Sequence, residues 1–327
     1  MELLSRRQFV RASLVFGGLS LLAGCGVSPP GAQPPRVFRI GLLWSELEVP
    51  EAEAFRQGLR EHGYVEGQNV TIETRLAGEQ LERYPELAAE LVQLPADVIV
   101  TAGTTATRAA KQATDTIPIV MALSSDPVRA GFAESLARPG GNVTGLTDLA
   151  AELSPKRLQL LQEVVPGLAR VAVLWSTTGT PTMTEAAGQP LGLRVERFEV
   201  RGAEDLESTL SAVAASRPEA LFIERNAIFR APRAQIAEFA VRQRLPTMWG
   251  APGYVESGGL MGYGVNYPDS FRRAAGYVAK ILQGTKPGDL PIERPTKFDL
   301  VINLKTAQAI GLAIPPPVLQ DTTEIIQ

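Results

Sequence analysis

The side chains with chemistry to offer fall in short stretches, each directly after a run of apolar residues. Trp44 and Ser45 close the run 37–43, Gly103, Thr104 and Thr105 come just after 97–101, and Ser124 and Asp126 just after 117–121. Further on, Trp175 and Ser176, then Glu224, Arg225 and Asn226, then Trp249 with Tyr254 stand in the same relation to apolar runs. The chemistry these types suit is recognition. Gly103 lets a ligand approach the backbone, while Thr104 and Thr105 set hydroxyls beside the free amides of a helix start, a cradle for an anion. The same threonines could serve as a plain helix cap, and no lysine of a phosphate-binding loop accompanies them. Asp126 before Pro127 reads as a cap for the next helix or as a partner for an amine. Each tryptophan can stack on a planar ligand, cover a cation or finish a core.

Catalysis and metal binding are poorly supplied. His62 is the sole histidine and Cys25 the sole cysteine, so neither a zinc site of the His and Cys type nor an internal disulfide can be assembled. A serine-histidine-aspartate triad would have to use His62, whose place before Gly63 marks a helix end with glycine as its left-handed cap. No Gly-x-Ser-x-Gly elbow is present. The chain is therefore not read as an enzyme, and no cofactor or metal is assigned. Its formal net charge is −3, and residues 1–24, with three arginines and one glutamate, leave −5 for the remainder. That is the wrong sign for a nucleic-acid partner.

Cys25 has a different chemistry. Arg6 and Arg7 precede an apolar stretch, 12–23, that is too short to span a bilayer comfortably. The arginine pair looks like a twin-arginine export signature. Leu22-Ala23-Gly24-Cys25 resembles a bacterial lipobox, in which the thiol takes a diacylglycerol and becomes a membrane anchor. Residues 1–24 are then a signal peptide and 25–36 a tether rich in Pro, Gly and Ser. The expected address is outside the cytoplasm, at a membrane, facing the periplasm or the cell exterior.

The elements that must hold the recognition residues follow from periodicity. Residues 37–44 read as a buried strand and 51–62 as a helix with Ala54, Phe55 and Leu59 on one face. Strands at 70–74, 97–101 and 117–121, with helices at 81–94 and from Thr104, continue the alternation. Past 142–145 it restarts with helix 154–164, strand 170–175, a helix around 183–188 and strand 193–200. Helix 205–215, strand 220–224, helix 233–243 and strand 245–249 complete the second series. Two such series imply an α/β chain of two doubly wound parallel-sheet lobes, because parallel neighbours need crossovers and helices then cover both faces. A helix at 269–282 and an extended 297–302 recross between lobes, so a three-segment hinge is expected near Gly145, Gly259 and Pro295. The first lobe takes 37–145 with about 260–290, the second 146–259 with about 291–327. Ligands in such sheets sit beyond the carboxyl ends of the strands, where the recognition residues stand.

Several stretches in this order resemble one known family. They are Phe55-Arg56-Gln57-Gly58-Leu59 with Gly63-Tyr64-Val65-Glu66-Gly67-Gln68-Asn69-Val70, and Thr116-Ile117-Pro118-Ile119-Val120 with Ser125-Asp126-Pro127-Val128. Arg138-Pro139-Gly140-Gly141-Asn142-Val143-Thr144-Gly145, Gly258-Gly259-Leu260-Met261-Gly262-Tyr263-Gly264 and the run 295–305 complete the set. Together they are similar to the TrpX-like substrate-binding lipoproteins and periplasmic proteins that serve ABC importers, members of the type 1 periplasmic binding protein fold. The resemblance implies a receptor that captures a small molecule between its lobes by hinge closure and docks, loaded, on a membrane permease. It also implies an acidic residue and an Asn after the third strand of the second lobe in amino-acid-binding members. Arg225 and Asn226 hold that place here. An amino acid is thus one expected ligand, and a second carboxylate or another anion facing Arg225 is the alternative. A monomer is expected. Rival readings are a lipid-anchored sensor domain, which shares the ligand physics, and a secreted hydrolase, which lacks an evident nucleophile and base.

Overall fold

The structure, a computed structural model, describes residues 36–45, 49–78, 80–149, 152–177 and 184–327. The export, lipidation and tether readings, Cys25 included, lie outside the described residues. The architecture below is that of the compact unit Val37–Gln327.

In chain order the first half contains β1 (Phe38–Trp44), α1 (Val49–Glu61), β2 (Val70–Leu76), α2 (Tyr84–Gln93), β3 (Val98–Ala102), α3 (Thr104–Ala113), β4 (Ile119–Leu123) and β5 (Val143–Gly145). Its five strands pair in parallel in the order β2-β1-β3-β4-β5. That doubly wound order puts its switch point between β1 and β3, so the chain reverses direction of winding there and leaves a crevice at the strand ends. Strand interiors such as Val98, Ile99 and Val100 are fully buried, as continuous apolar runs in a two-faced parallel sheet should be. Gly63, at φ 82°, turns the chain out of α1 as read from the sequence.

The second half runs α4 (Ser154–Val164), β6 (Arg170–Trp175), α5 (Thr184–Gly188), β7 (Arg194–Glu199), α6 (Leu206–Ser216), β8 (Ala220–Ile223), α7 (Arg233–Arg242), β9 (Thr247–Trp249) and β10 (Met261–Val265). After these come α8 (Tyr267–Leu282), β11 (Phe298–Asn303), α9 (Leu304–Ile310), α10 (Pro316–Gln320) and β12 (Glu324–Ile326). Seven strands form the second sheet in the order β12-β11-β10-β9-β8-β6-β7, with the switch point between β6 and β8. All neighbours are parallel except β10 and β11, which run antiparallel. The long helix α8 is capped by Asn266, whose side chain accepts from the Asp269 amide at 2.8 Å, and its apolar face joins the core under the first sheet through Phe271, Ala274, Ala275 and Val278.

Three segments link the halves, and one of them differs from expectation. The first leaves β5 at Gly145, whose φ of 125° and close approach to the Met121 backbone admit no Cβ. The second, expected near Gly259, falls at Asn266, because 261–265 is a strand of the second sheet paired with Met248 and Trp249 on one side and Leu300 to Ile302 on the other. The expected start of the returning segment, about 260, thus moves past Val265. The third lies near Pro295, between Glu293 and β11. The segments are tied to one another: Thr147 N donates to Glu293 O at 3.0 Å, Glu293 N to Gly145 O at 2.9 Å and Asn266 N to Lys297 O at 3.1 Å.

Candidate functional site

The segments that follow β1, β2, β7 and β8 border a shared gap. A cleft of about 960 Å³ is bounded by Ser45, Leu76 to Gly78 and Leu81 to Arg83 from the first half and by Arg201 to Glu204, Ile228 and Arg230 to Arg233 from the second. Of the residues singled out in sequence, Ser45 lines it. Tyr254 lines a neighbouring recess of about 270 Å³ with Tyr267, Asn266 and Asp299.

In the first half, Gly103 is the N-cap residue of α3 at φ 96° and offers no side chain to cap it. The N-terminal turn of α3 carries the positive end of the helix dipole, which attracts an anion. Thr104 Oγ1 lies 3.4 Å from Ser124 Oγ, which is fully buried at the end of β4. Thr105 is the next residue on the same turn, half-buried. Asp126 is exposed, and its Oδ1 accepts from Arg129 N at 3.0 Å, so it caps its own turn instead of facing the gap.

Arg225 crosses the gap. Leaving the end of β8, it places Nη1 2.8 Å from Asp148 Oδ2 and donates from Nε to Tyr267 Oη at 2.8 Å. Asp148 follows the first linking segment, with its amide bonded to Ser124 O, and Tyr267 opens α8. Ser125 Oγ donates to the same Asp148 oxygen at 3.2 Å. Burial works against the Arg225 charge, but Asp148 and Tyr267 outweigh it and hold its pKa above the usual arginine value. Beneath it, Arg157 of α4 donates to Tyr263 O at 2.7 Å and Gly250 O at 2.9 Å, and burial pushes it down to about 10.

Glu224 faces away from Arg225, as strand alternation requires. Its Oε1 accepts from Thr184 Oγ1 at 2.9 Å, and Thr184 contacts Ser154 Oγ at 3.1 Å. Burial pushes the carboxyl up to about 7 against the pull of Thr184, Arg197 and Arg157, so near neutral pH it is partly protonated. Arg197 lies over the Trp175 ring at 3.7 Å, with its Nε and Nη2 buried and without hydrogen-bond partners. Ser176 beside Trp175 is buried. Asn226 uses Oδ1 to accept from Ile228 N at 3.1 Å.

Trp44 and Trp249 belong to cores. Trp44 is 1% exposed and meets Phe271 edge-on at 5.0 Å, while Trp249 is fully buried and meets Tyr254 edge-on at 6.0 Å. Sequence reasoning had passed over Asp148, Tyr267, Arg157, Thr184 and Arg197. Asp148 gave a faint signal, an acid just past a linking glycine, and Tyr267 another, since Asn266 and Pro268 together mark a helix start. Among the described residues no group of His, Cys, Asp or Glu could hold a metal ion, and no helix is long and apolar enough to cross a membrane.

Comparison with known proteins bears on the family and the fold. A family model described as ABC transporter substrate binding protein matches residues 50–326. The tyrosine-binding protein of Clostridioides difficile is 25% identical over 310 residues, covering 90% of this chain and 89% of its own. The ABC domain in complex with L-Trp from Streptococcus pneumoniae superposes with a TM-score of 0.82 at 26% identity, covering 89% of this chain and all of that one. A conserved domain protein of Vibrio cholerae gives the same score and coverage at 27% identity.

Proposed function

The chain belongs to the family of ABC transporter substrate binding proteins, and from that premise we propose how it works as the extracytoplasmic receptor of an ABC importer. It captures a small carboxylate-bearing solute, amino acids included, in the gap between its two sheets, and closes about the three linking segments. The ligand carboxylate sits on the first turn of α3, at Gly103, Thr104 and Thr105, and the far side of the ligand meets the second sheet near Trp175, Ser176, Arg225 and Asn226. Closure is favoured only by the ligand's greater affinity for the closed form. The loaded form docks on a permease, and Cys25, acylated after export, keeps the monomer beside the membrane.

One observation carries the reading. Thr104, Ser124, Ser125, Asp148, Arg225 and Tyr267 form a line of polar contacts from the carboxyl end of the first sheet to that of the second. Such a line at two facing switch points suits capture of a polar small molecule, and the tyrosine-binding relative and the relative solved with L-Trp support a ligand of that size. Micromolar binding corresponds to about 8 kcal/mol, within reach of one carboxylate cradle and one ring contact after ordering costs.

The test is a thermal-shift screen of the full chain in detergent against amino acids and small carboxylates. A ligand at a hundred times its Kd should add about 2.7 kcal/mol and raise Tm by roughly 4 °C. No shift with any compound of either class would remove the carboxylate reading.

A further inference from the structure

The charges in the gap are already partly settled by the protein itself. Asp148 is 1% exposed, and its Oδ2 takes both Arg225 Nη1 at 2.8 Å and Ser125 Oγ at 3.2 Å. Arg225 keeps 19% of its side chain exposed, and its Nη2 has no partner among the described residues. The other carboxyl at this end of the second sheet, Glu224, is buried on the opposite side of the strand and takes a bond from Thr184. On the wall of the larger cleft, Glu82 and Glu204 are exposed, and Arg83, Arg201, Arg230 and Arg233 line the same cleft.

An entering ammonium would therefore meet a buried carboxylate that already holds a guanidinium, and would have to sit beside that like charge. Like charges a few ångströms apart in a partly dry site repel, and displacing Arg225 would strand its own charge instead. An anion meets the reverse situation: the exposed part of the Arg225 guanidinium on one side and the positive N-terminal end of α3 on the other, joined through Thr104, Ser124 and Ser125.

We propose that Arg225 is a resident cation that sets the ligand class, so that the site takes small carboxylates lacking an ammonium group and disfavours the matching α-amino acids. This rests on the receptor reading above. Arg225 occupies the place of the ligand's own positive charge against Asp148, and its free Nη2 donates to the ligand.

The experiment is calorimetry on the full chain in detergent with matched pairs: 3-phenylpropionate and phenylalanine, 3-(4-hydroxyphenyl)propionate and tyrosine, indole-3-propionate and tryptophan, isocaproate and leucine. At least one amine-free acid should bind about tenfold or more tightly than its amino acid, a difference in Kd of one decade. Amino acids binding as tightly as, or more tightly than, their partners would overturn this inference and leave the receptor reading standing. Binding by neither class would overturn the carboxylate reading and this inference with it. Because Arg225→Gln alone takes away the guanidinium that faces the buried Asp148 carboxylate, the variant used is R225Q with D148N, which removes both charges. It should keep its melting transition and lose about tenfold or more of the amine-free acid's affinity. A folded double variant that binds that acid as the parent does would equally overturn the assignment.

Discussion

Glu224 and Arg225 are neighbours that the end of β8 sends to opposite sides, and their surroundings act on their charges in opposite senses. Asp148 holds Arg225 charged, whereas burial raises the Glu224 carboxyl from 4.5 to about 7. Between those two values the folded chain keeps a proton on Glu224 that the unfolded chain has released. Stability contributed by the neutral form is therefore full below about pH 4.5, falls as pH rises through the window and levels off above about 7. The whole span is worth about 3 kcal/mol. Glu224→Gln should flatten this part of the curve, so that Tm declines less between about pH 5 and pH 7.5 than in the parent. Parallel Tm curves for the two proteins would exclude a titrating Glu224. The residues flanking strand ends were legible, because an apolar run shows where a strand stops. Their roles were less so: Trp44 and Trp249 turn into cores, Asp126 turns to Arg129, and Asp148 meets Arg225 only through the fold, a pairing that no local spacing encodes.

Elements carried most of what periodicity could reveal. Strands β1 to β4, β6 to β9 and β11 and helices α1 to α8 stand where local patterns place them, since each is a short apolar run or a one-faced helix, whereas the three-residue β5 and β12 and the short α9 and α10 give no such pattern. β10 was missed because glycines at 262 and 264 weigh against a strand. They are needed there because a Cβ at Gly262 would lie 2.8 Å from Val255 and 2.9 Å from Pro252, where the 252–257 turn packs on the sheet. That hidden strand is why the second link lies at Asn266 instead of near Gly259. Gly145 is the sharper case of the same constraint, combining φ 125° with the Met121 backbone where β5 ends. Gly145→Ala should cost about 3 kcal/mol through backbone strain and displacement of β4. Differential scanning calorimetry would read this as a Tm lowered by roughly 5 °C. An unchanged Tm would mean that the link relaxes freely and is not held in one conformation.

At the scale of the whole molecule, a receptor that closes on its ligand is useful only where a permease can collect it, which makes the expected anchor as consequential as the cleft. Cys25 ends the apolar stretch 12–23, and 26–35 supplies a spacer of small and proline residues before β1. A single acyl chain binds membranes only marginally, whereas the several chains expected on a lipobox cysteine hold a protein stably, each buried methylene adding about 0.8 kcal/mol. Cys25→Ser removes the expected acyl acceptor without touching the unit Val37–Gln327, so binding and anchoring should separate. In cells fed a labelled fatty acid, the parent should carry label and sediment with membranes. The variant should carry none and appear in the soluble extracytoplasmic fraction, if its signal is still processed, or stay membrane-bound as an uncleaved precursor of higher mass. Both variant fractions, extracted in detergent, should bind ligand with the parent's calorimetric affinity, because the gap lies wholly within 37–327. Label retained on the variant would assign acylation elsewhere, and lost affinity would show that the amino-terminal segment reaches the binding site.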